Sequence, residues 1–181
     1  MASSSNTYEV REERSSAQLE YVFISVGRQI VPKIIQYTLT HQFEDRDVYN
    51  LGFGDYNDKS DQIEDHIKSG NGDAYKVFNT VLSTIPLFFE RFADAILIVQ
   101  GSDGGPDFIE KCQRTCIRKC HLSCRKFNQR VAIYRNFVEK HFSALSYHYW
   151  FLGGYTNDRM SLTTEKYILG RAYNAILMFK K

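Results

Sequence analysis

The stretch KCQRTCIRKCHLSCRK, residues 111–126, sets Cys112, Cys116, Cys120 and Cys124 at strict four-residue spacing. Thiols repeated in this way are candidate ligands for a soft metal such as zinc, candidate disulfide partners, or small apolar side chains on one helix face. Between and beyond them stand Lys111, Arg114, Arg118, Lys119, Arg125, Lys126, Arg130 and Arg135, with only Asp107 and Glu110 opposing them from 107 to 135. Cations gathered in this density are suited to neutralising phosphates, which gives salt-sensitive and mainly sequence-independent binding.

The choice among these chemistries depends on the element that carries the residues. From 107 to 146 no Gly or Pro interrupts the chain, and Asp107 with Glu110 resembles a capping box, so the pattern predicts one long amphipathic helix. On such a helix each four-residue step advances about 400°, so successive cysteines drift by only about 40°. They then continue the apolar stripe of Ile109, Phe127, Val131, Tyr134, Val138, Phe142 and Leu145, while Arg114, Arg118 and Arg125 fall on the opposite side. A zinc ion needs every sulfur about 2.3 Å away, yet Cys112 and Cys124 would be separated by about 18 Å of helical rise. Packed thiols are therefore the leading expectation. A metal site of Cys112, Cys116, Cys120 and Cys124 is the lesser alternative, and no cofactor is expected.

Other residues offer less. Asp55, Asp58, Asp61, Glu64 and Asp65 crowd one loop, but Lys59 and the missing central Gly spoil it as a calcium loop. The five histidines form no HExxH pair, and GSDGGP, residues 101–106, lacks the Lys-Ser/Thr of a P-loop. Arg130, Tyr134, Arg135 and His141 are the types that a metal-independent ribonuclease uses to bind phosphate and move protons.

The elements that position these residues belong to an α+β class. YVFISV (21–26) and IVPKIIQYTLT (30–40) read as a hairpin, with Pro32 at an edge or bulge. VYNLGFGDY (48–56) alternates Tyr49, Leu51 and Phe53 against Asn50, Gly52 and Gly54; the bare second face predicts a closely packed helix. After SGNGD, with Asp73 as N-cap, apolar residues recur at helical spacing over 74–92, and Pro86 should kink that helix. ADAILIVQG (93–101) is an apolar, central strand; YWFLGGY (149–155) and AYNAILMFKK (172–181) are further strands, and TNDRMSLTTEK (156–166) is a polar connection. The sum is a single domain over 19–181: a mostly antiparallel sheet packed on a kinked helix and the long basic helix. Residues 1–18, Ser-rich and charged, are expected as a disordered tail.

Composition agrees with a packed globule: 43% of residues are hydrophobic, with 13 Phe and 12 Tyr. No signal peptide or membrane span is apparent, which predicts a cytoplasmic protein with reduced thiols. The net charge of +2 conceals an asymmetry. Residues 1–106 hold 9 Lys/Arg against 16 Asp/Glu (net −7), and residues 107–181 hold 14 against 5 (net +9).

VYNLGFGDY, SGNGD, DAILIVQGS, the R-x3-YR of Arg130, Tyr134 and Arg135, FLGGY and YNAILMFKK, in this order, resemble an uncharacterised family of small bacterial proteins of the Bacteroidota type, a domain of unknown function. The resemblance spans about residues 20–181, with the cysteine segment as an elaboration on the common core. It implies no activity. The residues themselves favour a non-enzymatic binding module with its basic face toward nucleic acid or another polyanion. The alternatives are a homodimeric or partner-binding protein whose acidic and basic halves pair, and an RNA-cleaving enzyme using Arg130 and His141.

Overall fold

A computed structural model describes residues 6–15, 18–57, 62–64, 70–101, 106–115, 124, 128–156 and 161–181. The chain forms two compact units, Met1–Ala95 and Ile96–Lys181. Both are α+β, and the strand pairings within each are antiparallel.

The first unit is a meander with a helix on one face. Strands β1 (Arg11–Ser15), β2 (Gln18–Val26), β3 (Ile30–Phe43), β4 (Arg46–Asn57) and β5 (Gln62–Glu64) pair in chain order, and helix α1 (Ala74–Arg91) follows. The two-residue alternation of a half-buried sheet puts Leu19, Tyr21, Phe23 and Ser25 on the same face as Ile35, Tyr37, Tyr49 and Leu51. Against it lie the buried Val77, Val81, Ile85 and Phe88 of α1, as the helical repeat predicts. Phe88 stacks on Tyr37 with ring centroids 4.6 Å apart, and Tyr49 meets the same ring edge-on at 5.2 Å. Pro86 lies inside the helix. Pro32 faces Ile24 of β2, at a point where β3 has run past its described register with β4.

Three expectations for this unit are corrected. The tail expected over 1–18 is ordered in its described part: β1 pairs residue for residue with β2, and Tyr8 stacks on Phe23 at 5.6 Å. Backbone pairing with an open edge requires no hydrophobic pattern, so the charged REERS takes part in the sheet. Among the described residues, the glycine-rich face of β4 receives no helix at Gly52, where an added Cβ would meet Asn50 Nδ2 at 4.0 Å. Finally, Asp73 gives α1 no side-chain cap; its carboxylate is engaged elsewhere.

In the second unit β6 (Ile96–Gln100) is followed by α2 (Pro106–Thr115), α3 (Gln129–Leu145), β7 (Tyr149–Thr156), β8 (Leu162–Lys166) and β9 (Ala175–Lys180), with strand order β6-β9-β7-β8. Ile96, Leu97 and Ile98 are buried, as an all-apolar strand requires. Helix α3 packs on β6 and β9, with Val131 and Tyr134 buried. The polar connection expected over 156–166 contains β8, which pairs with β7 through Leu152↔Lys166 to Thr156↔Leu162.

The long helix over 107–146 is overturned. Helix α2 ends at Thr115 and α3 begins at Gln129, preceded by Asn128 in the left-handed region at φ 55°. Asn is one of the few side chains that tolerate this conformation, and an α-helix cannot pass through it. The interruption at Asn128 thus needs neither Gly nor Pro.

Candidate functional site

The break between the helices rearranges the cysteine segment. Cys112 on α2 and Cys124 have sulfurs 3.2 Å apart, both half-buried and without a disulfide bond. A continuous helix would separate them by about 18 Å. Cys112 and Cys124 therefore do not stand on one continuous helix, and the inward stripe expected from the wheel does not hold for these two thiols. Cys116 and Cys120 lie outside the described residues.

The cations divide accordingly. Arg114 is exposed on α2 and forms an ion pair with Glu110 one turn earlier. Lys111 on α2 and Arg130 on α3 have side chains outside the described set, as do Arg118, Lys119, Arg125 and Lys126 entirely. Arg135 is half-buried on α3. Its charge acts on Tyr167, whose hydroxyl is driven well above the usual tyrosine range, first by burial and then by the carboxylate of Glu139. Arg135 thus also contributes to the electrostatics of its own unit. Among the described residues, Arg114 stands on α2 and Arg135 on α3, two separate helices.

Of the residues considered for RNA cleavage, Tyr134 is buried, Arg135 and His141 are half-buried, and the side chain of Arg130 lies outside the described set. Tyr134 is 8% exposed, and His141 stacks on Phe137 at 4.2 Å with its Nε2 enclosed and without a hydrogen-bond partner among the described residues. No group of three or more His, Cys, Asp or Glu is gathered for a metal among the described residues.

Two polar clusters were not foreseen. In the first unit Asp73 accepts hydrogen bonds from Ser25 Oγ at 2.6 Å and Tyr8 Oη at 2.8 Å. Burial pushes its carboxyl up, but these donors, with help from the Lys33 charge, carry it below the usual aspartate value. Asn71 spans the β2–β3 turn: Gln29 N–H donates to its Oδ1 at 3.0 Å, and its Nδ2 donates to the Gln29 carbonyl at 3.0 Å and to Ser25 Oγ at 2.9 Å. Its neighbours Gly70 and Gly72 adopt φ of 60° and 69°, which explains SGNGD: the glycines make the left-handed turns that aim Asn71 at the hairpin. Lys33 and Asp55 form a largely buried ion pair on the same sheet face. Inspection of SGNGD alone could have revealed a turn, but not its partner 42 residues away.

In the second unit Glu165 accepts from Arg171 Nη1 at 2.7 Å, Tyr173 Oη at 2.9 Å and Tyr155 Oη at 3.2 Å. The Arg171 hydrogen bond first, and then that from Tyr173, hold its carboxyl below the usual glutamate value. Glu139 of α3 accepts from Gly170 N at 2.9 Å and Tyr167 Oη at 3.3 Å. Both clusters tie loops to strands.

With this geometry in view, the sequence comparison is decisive on kinship. The profile of a family of unknown function, DUF6934, matches residues 4–105. The chain belongs to that family. The match includes β1, the Asp73 and Asn71 cluster, α1 and β6, and it ends before the cysteine segment begins. No curated protein and no solved structure gave a match. Among the described residues of this DUF6934 member, no helix is long and apolar enough to cross a membrane.

Proposed function

We propose that this protein is a non-enzymatic binding module that holds a polyanion, in the first place nucleic acid, through the basic segment 111–126. The observation that carries the proposal is the closure of that segment at Cys112 and Cys124, 3.2 Å apart. Between positions 111 and 126 there are six Lys/Arg and no Asp or Glu. Along a straight helix, sixteen residues would spread these charges over about 24 Å. With Cys112 and Cys124 3.2 Å apart, the cations beside them, Lys111 and Arg125, belong to one neighbourhood of the chain, which favours a high local potential and attraction for phosphates. The buried Tyr134 and the buried His141 Nε2 give the RNA-cleaving reading less support. The same reading places the protein in the cytoplasm, where nucleic acid is at hand and thiols stay reduced.

The test is fluorescence anisotropy with labelled single-stranded DNA, RNA and duplex DNA at 50 and 200 mM salt. With about six phosphate contacts, affinity should fall roughly a thousandfold between these salts. Replacing Arg118, Lys119, Arg125 and Lys126 by Ala should flatten the logarithmic salt slope by about 3 to 4. Absence of binding at low salt, or an unchanged slope in the fourfold variant, refutes the assignment.

A second reading, association with a copy of itself or with another protein, is favoured by one surface. At the free end of the β2–β3 hairpin Ile24, Val26 and Ile30 are 53%, 59% and 73% exposed. Val26↔Ile30 and Ile24↔Pro32 are cross-strand partners, so the four side chains share one face. The ion pairs Lys33–Asp55 and Arg91–Glu12 fall inside the first unit, and Arg114–Glu110 and Arg171–Glu165 inside the second. This second reading therefore rests on apolar surface rather than on pairing of acidic and basic halves.

A further inference from the structure

The thiols of Cys112 and Cys124 carry a chemistry that neither core packing nor phosphate contact uses. Their sulfurs stand 3.2 Å apart across a separation of 12 positions in the chain, and no disulfide joins them. Both residues are half-buried, so the pair is sheltered yet within reach of a small solute. A disulfide holds its sulfurs at about 2.05 Å, which leaves about 1.2 Å for side-chain rotation to supply. Two thiols that already meet in the folded chain act on each other at an effective concentration above the millimolar level of a flexible tether. Lys111 and Arg125 adjoin the two cysteines in sequence, and nearby positive charge favours the thiolate, the form that attacks.

We propose that Cys112 and Cys124 form a reversible dithiol–disulfide couple, oxidised by a small disulfide of the glutathione class. One thiolate attacks a sulfur of the oxidant and expels one glutathione thiolate, leaving a mixed disulfide. The second thiolate attacks the protein sulfur of that mixed disulfide and expels the other glutathione. The protein gives up two electrons, and its two thiol protons pass through solvent to the two released glutathione thiolates. In a reducing compartment the dithiol is the resting form; an oxidising shift closes the bond and ties position 124 to α2. The couple stands on the two sulfurs and is independent of the polyanion reading.

The experiment equilibrates the full, reduced chain in mixtures of reduced and oxidised glutathione, quenches it in acid and maps the products by peptide mass spectrometry. The sequence also holds Cys116 and Cys120, so the pair formed has to be identified. The expected product is an intramolecular disulfide between Cys112 and Cys124, with two thiols lost per chain and both restored by excess reduced glutathione. In the Cys116→Ser/Cys120→Ser variant only this pair remains, and its equilibrium constant with glutathione can be read in the folded chain and in concentrated urea. The folded chain should favour closure by at least about tenfold, since folding has already brought the sulfurs together and native disulfides commonly stabilise by more than that factor. Circular dichroism checks that the double variant folds; if it does not, the pair mapped in the wild-type chain decides. A wild-type chain that pairs Cys112 or Cys124 mainly with Cys116 or Cys120 overturns the proposal. So does one that yields only disulfide-linked dimers, or one that keeps all its thiols in excess oxidised glutathione. A folded-to-unfolded ratio of one or less overturns it as well.

Discussion

Gly153→Ala tests the packing of the second unit at its tightest point. A Cβ at position 153 would lie 2.1, 2.2 and 2.4 Å from Cε1, Cζ and Cδ1 of Tyr173. Carbon atoms in favourable contact stand about 3.5 to 4.0 Å apart, so the ring would have to retreat by more than about 1 Å. It is poorly placed to do so. Tyr173 is 3% exposed and flanked by the rings of Tyr155 at 5.2 Å and Tyr167 at 5.1 Å. Its hydroxyl donates to Glu165 at 2.9 Å and accepts from Ile168 N–H at 3.1 Å. Overpacking costs about 1–3 kcal/mol, and displacement of the hydroxyl forfeits two hydrogen bonds at about 1 kcal/mol each, so the expected loss is about 3–5 kcal/mol. Urea denaturation followed by circular dichroism measures it. In a Tyr173→Ala background the same glycine substitution should cost less than about 1 kcal/mol, because the obstructing ring is gone. Gly52→Ala is the control. The space there is open, so its effect should stay within about 0.5 kcal/mol or be slightly stabilising. A Gly153→Ala protein as stable as wild type, or one equally damaged with and without the Tyr173 ring, would refute the reasoning.

Asp73→Asn removes a charged acceptor from Tyr8 and Ser25. The expected destabilisation at pH 7 is about 1–3 kcal/mol, toward the lower end because the carboxylate is partly exposed and screened. Asp73 has a folded pKa below its unfolded one. Its contribution is therefore complete above the unfolded value, near about 3.9, and is lost as pH falls through the lower folded value. Melts of wild type and variant should differ at pH 7 and converge in strong acid; a gap that persists at every pH would contradict the linkage. For the self-association reading, light scattering of wild type against Ile30→Lys should show a dimer that the variant dissolves. A monomeric wild type at all concentrations would rule out the homodimer.

Much of the framework was legible in the chain because it follows from local rules. Alternation in 21–26, 30–40 and 48–56 marks β2, β3 and β4, the apolar repeat in 74–92 marks α1, and the apolar run at 93–101 marks β6. These patterns survive because each element buries one face, or both, and the period of the side chains records which. Strands β1 and β8 escaped the same reasoning. REERS and LTTEK carry little apolar signal, and they join the sheet through backbone hydrogen bonds that every residue can make.

The cysteine segment shows the other limit. Its composition fixed what chemistry was possible there: thiols for a soft ion, cations for phosphate. The helical wheel then assigned faces, but an azimuth has meaning only while the helix continues, and α2 ends at Thr115, between Cys112 and Cys124. Residue identities set the available chemistry, and the tertiary fold alone determined that Cys112 and Cys124, twelve positions apart, share one place.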